Sequence, residues 1–194
     1  MSVLGSELKF YLTGAESDGG TQEDANASLG DYKSSSEITT DELNNLFDDV
    51  SSAEAESGDT EYRCFAIKNT SSDILYNARL FISAEYDPGE NHTISIAVER
   101  PALANATDGN AQEVVDESSA PQVNVTGHNG AGSGVSGWST ASSYASGVEV
   151  DLGSHNINLA AGELIFVWVK RVIQSSATAQ SNQSFTIQIK GDTV

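Results

Sequence analysis

A single cysteine, a single methionine, three prolines and only nine basic residues are spread over 194 positions, and each scarcity excludes something. With Cys64 alone, no disulfide can form within the chain, and no Cys/His cluster is present to hold zinc. No stretch comes near the roughly 20 apolar residues that span a bilayer. The opening Met-Ser-Val-Leu-Gly has neither a basic region nor a long apolar run, so the expectation is a chain without a signal peptide, made in a cytoplasm. Nine Lys and Arg stand against 28 Asp and Glu, a net charge of −19. That deficit argues against sequence-independent binding to nucleic acid, which needs basic side chains to displace counterions from phosphates. It argues equally against an anionic membrane surface. It favours solubility at high copy number and docking onto a basic partner.

What is present is unevenly placed. Half of the acidic residues lie between Glu16 and Glu61, with Lys33 the one base among them. The other bases (Lys9, Arg63, Lys68, Arg79, Arg100, Lys170, Arg171, Lys190) sit in or beside strand-like runs. From Thr13 to Glu37 hydrophobic periodicity disappears and Gly, Ser, Asp and Asn take over. About 25 residues is too long for an ordinary connection inside a compact domain, so a partner is expected to hold this stretch. In Thr39-Thr-Asp-Glu42 the spacing is that of a capping box. Leu43, Leu46, Phe47 and Val50 follow at i, i+3, i+4 and i+7, a helical stripe. All four are expected to be buried, under the protein's own β layers or in a neighbour. Ser51-Ser-Ala-Glu54 repeats the capping pattern, and Gly58 would end a short turn.

From Thr60 the pattern changes to strands. Tyr62, Cys64 and Ala66 alternate with Arg63, Phe65 and Ile67. Ala78, Leu80, Ile82 and Ala84 share a face, as do Ile94, Ile96 and Val98. Asp87-Pro-Gly-Glu90 has the composition of a β-turn. Leu164 to Ile173 is β-branched and aromatic, as a central strand requires; Phe166 and Trp168 should face one way, Val167 and Val169 the other. Phe185, Ile187 and Ile189 alternate at the end, and Leu8, Phe10 and Leu12 near the start. Seven to nine short strands separated by turns predict an all-β fold: an antiparallel β-sandwich, Ig-like or jelly-roll-like. Residues 1–58 are expected to supply a first strand, a long loop-rich acidic arm and short helical turns, and residues 59–194 the sandwich. Within the latter lies a Gly/Ser-rich region, 101–147, with Val123 and Val125 as a short strand and a surface loop at 128–137. Trp138 and Tyr144 follow that loop, and either anchor it or stand at an interface.

Catalytic patterns are sparse. His92, His128 and His155 are far apart and fit no ligand spacing. Cys64 has no neighbouring His to lower its pKa. The Gly-rich loop carries no Walker lysine. Asp48 and Asp49 form a tight acidic pair, but no EF-hand loop surrounds them. The expectation is a non-enzymatic protein with no cofactor and no metal.

Ser6-Glu-Leu-Lys-Phe-Tyr-Leu-Thr-Gly14, Asn45-Leu-Phe-Asp-Asp-Val50 and Gly58-Asp-Thr-Glu-Tyr-Arg-Cys64 resemble virion structural proteins of tailed bacteriophages. So do Leu159-Ala-Ala-Gly-Glu163, Val167-Trp-Val-Lys-Arg171 and Ser184-Phe-Thr-Ile-Gln-Ile-Lys-Gly-Asp192. The resemblance implies a protein of the virion, made in the host cytoplasm: a capsid decoration (cement) protein, or else a tail, neck or baseplate component. Its partners would be other virion proteins, the major capsid protein or tail proteins, in a homo-oligomeric arrangement, without nucleic acid or membrane. On this reading the acidic arm at 13–58 reaches a neighbouring subunit. A carbohydrate-binding module for host adhesion is the alternative, with Trp138 and Tyr144 stacking on sugar faces.

Overall fold

The cleanest alternations become the strands that hold the molecule together. The computed structural model describes residues 3–85, 91–100, 109–123, 134–150, 157–179 and 184–192. Among them are β1 (Leu8–Ala15), β2 (Asp31–Glu37), β3 (Asp59–Asn69), β4 (Tyr76–Glu85), β5 (His92–Arg100), β6 (Asn110–Ala111), β7 (Gly134–Val135), β8 (Val148–Glu149), β9 (Leu164–Ile173) and β10 (Phe185–Asp192). The one described α-helix, α1, spans Ser52–Ser57. A seven-stranded sheet runs in the order β6-β2-β1-β3-β9-β5-β7, and a three-stranded sheet in the order β10-β4-β8. Every strand pair is antiparallel. The all-β sandwich expected from the strand spacing is the fold observed. No described helix is long and apolar enough to cross a membrane.

β9 is central, flanked by β3 and β5 in unbroken register from Asp59↔Ile173 to Lys68↔Leu164 and from His92↔Ile173 to Val98↔Val167. Its alternation sorts side chains as expected. Val167 and Val169 join Phe65, Ile67 and Ile96 beneath the small sheet, where Ala78, Leu80 and Ile82 close the core. Phe166 and Trp168 join Cys64, Ala66 and Ala97 on the opposite face. Each large aliphatic or aromatic side chain fully buried here contributes about 1.5–3 kcal/mol. Among the described residues no second sheet covers the Trp168 face. Ala111 of β6, Val135 of β7 and, from connecting segments, Val114 and Trp138 pack there instead.

The large sheet curls into a half-barrel, and a polar seam joins its far ends. Beside β6, the Gln112 N–H donates to Glu99 Oε1 of β5 at 2.9 Å. Gln122 N–H donates to Gln112 Oε1 at 2.6 Å, and Val135 N–H in β7 donates to the Gln122 carbonyl at 2.9 Å. Trp168 Nε1–H donates to the other Glu99 oxygen at 2.8 Å. Gly30 makes the seam possible at the β2 end: a Cβ there would lie 1.8 Å from the Gln112 carbonyl oxygen, and its φ is +105°.

The acidic arm is where sequence and structure part. Within 13–58, residues 31–37 form β2, which pairs with β1, so the first 58 residues share the sandwich rather than stand apart from it. Polar contacts hold the stretch to its own chain. Ser28 Oγ, buried, accepts from Thr13 N–H at 2.8 Å and donates to the Cys64 carbonyl at 2.6 Å. Ser34 Oγ donates to the Gln22 carbonyl at 2.6 Å, and Lys33 Nζ lies over the Tyr11 ring at 4.6 Å. Such a strand has no apolar alternation to read.

The second correction concerns residues 39–50. They form turns, not a helix. Asp41 and Asn44 take left-handed φ values of 65° and 56°, which break a helical path; both residue types tolerate that region. The next capping pattern does what its residues imply: Ser51 and Glu54 cap α1 reciprocally, and Gly58, at φ 77°, ends it. Val123 is an exposed bend, not a strand. The expected turn at 87–90, Val125, His128, His155 and most of the loop at 128–137 lie outside the described residues.

Candidate functional site

The loop 38–50 closes one end of the sandwich and leaves a cavity of about 440 Å³ beneath it. The cavity floor is apolar, with Phe10, Phe65, Ile94 and Ile187; Asp41, Glu42, Asp48 and Asp49 of the loop line it as well. Leu46, Phe47 and Val50 are buried as expected. Leu46 and Phe47 join the main core, and Val50 packs with Ala55 and Ile173. Leu43 is not buried: it is 70% exposed. The non-helical path of the loop turns it outward and leaves it lining the cavity mouth. β10 contributes Phe185 and Thr186 to the same cavity.

Phe47 is the keystone of this end. Its ring meets Phe185 edge-on at 6.1 Å between centroids. The guanidinium groups of Arg171 and Arg63 lie 4.7 and 5.3 Å from its centroid. Both arginines are buried and both are neutralised. Arg63 pairs with Glu117, and also donates to Asn26 Oδ1 at 3.1 Å. Arg171 pairs through Nε with Glu61, which is wholly buried, and donates through Nη1 to the Asp48 carbonyl at 2.8 Å. Burial pushes the Glu61 carboxyl above the ordinary carboxylate range, and Arg171 pulls it back in part. Glu85 is likewise pushed up by burial, against the hydrogen bond it accepts from Ile94 N–H. His92 Nε2 stands 3.8 Å from Glu85 Oε1.

Trp138 and Tyr144 are both half-buried, but no ring contact joins them among the described residues. Trp138 lies 5.7 Å from the Tyr62 ring, with Lys170 Nζ 5.0 Å from its own centroid; it packs on the large sheet. Tyr144 sits in a 3-10 turn beside β4 of the small sheet, its hydroxyl donating to the Asn77 carbonyl at 3.0 Å. Each anchors its own segment. Cys64 is fully buried, and burial, with Glu99 nearby, pushes its thiol well up; a thiolate there is disfavoured.

Sequence reasoning missed the buried charges. The signal was present: Glu61 and Arg63 continue the alternation of Phe65 and Ile67, and Arg171 that of Val167 and Val169, so the core-facing side of two central strands turns from apolar to charged. Compared with known proteins, the chain matches no family model, no curated protein and no solved structure.

Proposed function

We propose that the protein is a non-enzymatic structural component of a tailed-phage particle, most simply a capsid decoration protein, that docks by accepting a neighbouring chain's strand along β10. The observation that carries this reading is the outer side of β10. Seven of its eight residues pair with β4 on one side, and no described residue pairs with the other. An open edge is a template for another strand. This edge runs beside the apolar-floored cavity, with Leu43 exposed at the mouth. In strand addition the main chain supplies affinity and a flanking pocket supplies specificity. The net charge of −19 favours a basic partner surface, and copies related by particle symmetry multiply weak contacts. The partners are other virion proteins, and the place is the virion. The docking element is thus the β10 edge and the loop beside it, in place of the reaching arm inferred from composition.

Two measurements test the reading. Quantitative mass spectrometry of purified virions should find hundreds of copies per particle if the protein decorates the shell; a ring of about six or twelve would place it on the tail axis, and absence from virions would overturn the proposal. Leu43→Asp and Thr186→Lys alter exposed positions, so both variants should fold. Each should lose particle binding at least tenfold; binding unchanged in both would remove β10 and its cavity as the docking surface.

A further inference from the structure

We propose that the carboxylates of Glu54, Asp59 and Glu61 bind one calcium ion, which fastens α1 and the sandwich-end plug to the start of β3. A ligand oxygen from each of the three lies within 4.8 Å of the others. Local sequence brings them together. The Ser51 cap fixes α1, and Glu54 Oε2 accepts from Ser51 N–H at 2.7 Å. Gly58 then turns the chain straight into β3, where Asp59 and Glu61 alternate onto one face. Asp59 Oδ1 accepts from Thr60 N–H at 2.7 Å. Two of the three carboxylates are therefore held in place by backbone donors.

Glu61 is the observation that points to a ligand. Its side chain is 0% exposed. Oε2 is taken by Arg171, whereas Oε1 is closed to solvent and has no hydrogen-bond partner among the described residues. A buried carboxylate oxygen left so is costly. Among the described residues Arg171 is the one cation paired with Glu61, and it is shared with Asp48; Arg63, whose charge also favours the carboxylate, pairs with Glu117. A divalent cation supplies the missing partner for Oε1, beside the carboxylates of Glu54 and Asp59.

The donor set is all oxygen, with no His or Cys, which suits a hard cation rather than zinc. Calcium takes oxygen ligands at about 2.3–2.6 Å in flexible geometry, whereas magnesium demands a near-ideal octahedron at about 2.0–2.1 Å and keeps several waters; three side-chain carboxylates from two elements suit calcium. Water would complete the shell.

The test is calcium titration of the full chain after dialysis against EDTA. Calorimetry should show one site with Kd roughly 10⁻⁴–10⁻³ M, the range of modest oxygen-ligand sites. The thermal midpoint should rise by roughly 3–6 °C at free calcium tenfold above Kd, and magnesium at equal concentration should do markedly less. Glu54→Gln and Asp59→Asn keep the backbone hydrogen bonds and should fold, with midpoints in EDTA near that of the parent. Both should lose the calcium-induced rise. No heat and no shift at 10 mM calcium would overturn the site, as would an undiminished shift in both variants, which would put the binding elsewhere on the acidic surface. Equal binding of magnesium would overturn the choice of ion.

Discussion

Two ends of one strand ladder differ more than any two strands do. At the Ile67/Ile165 end of β3 and β9, the face under the small sheet is wholly aliphatic and aromatic and packs directly on Leu80 and Ile82. At the Glu61/Arg171 end the same face, in the same unbroken register, carries two arginines and a carboxylate, all buried. The first end is held by non-directional burial. The second is held by charges that must be paired one by one, and the loop 38–50 closes over it. The difference teaches where this fold is adaptable. The aliphatic end has one way to be right, whereas the charged end can gain or lose partners, and there the cavity and the three-carboxylate cluster are found.

The largest break in that comparison should come from Arg171→Ala. It strips Glu61 of its guanidinium partner and releases the Asp48 carbonyl together. Leaving a buried carboxylate unpaired should cost about 3–5 kcal/mol in urea denaturation at neutral pH in EDTA. The pair itself should be nearly dispensable: Glu61→Leu with Arg171→Met replaces it by apolar volume and should recover most of the loss. A double variant as unstable as the single one would mean that the charges do more than neutralise each other. At the other end Ile67→Ala should cost about 2–4 kcal/mol through lost transfer energy and a cavity. No second substitution of a charge should relieve it.

The two ends were also unequally legible. The bounds of β9, 164–173, were legible, because burial on both faces leaves an apolar run from Leu164 to Val169, and Phe166/Trp168 against Val167/Val169 follows from the period alone; only the burial of Arg171 was not. β2 could not be read. Its Ser34 is buried for its hydroxyl, and Lys33 for its stem and its place over Tyr11, so its cohesion is polar and long-range and carries no hydrophobic period. The loop 38–50 misled for a different reason. Leu46, Phe47 and Val50 are needed in the core, and a helix is one way to deliver them; the left-handed turns at Asp41 and Asn44 are another, and only the second leaves Leu43 outside. The three-carboxylate cluster stayed hidden because Glu54 joins Asp59 and Glu61 only after the chain turns at Gly58.

The smallest effect sharpens the comparison through pH. Burial raises the carboxyls of both Glu61 and Glu85 above their ordinary values, and both side chains lie toward the charged end, where β5 starts opposite Ile173. A carboxyl with a raised native pKa holds its proton more tightly folded than unfolded. Its penalty is therefore absent below the unfolded value and grows as pH rises through the interval up to the native one. Asp116 acts in the opposite sense: hydrogen bonds from Ser119 and Ser118 lower its pKa, so what it contributes is lost on acidification, in a window below the ordinary aspartate value. The two windows do not overlap. In EDTA, the unfolding free energy should decline as pH rises past the ordinary glutamate value. Glu85→Gln, which keeps an acceptor for Ile94 N–H, should flatten that decline. The cost of Ile67→Ala should be the same on both sides of it, because no titrating group meets that residue. A decline as steep in Glu85→Gln as in the parent would assign it to the general repulsion of 28 acidic side chains rather than to the charged end of the ladder.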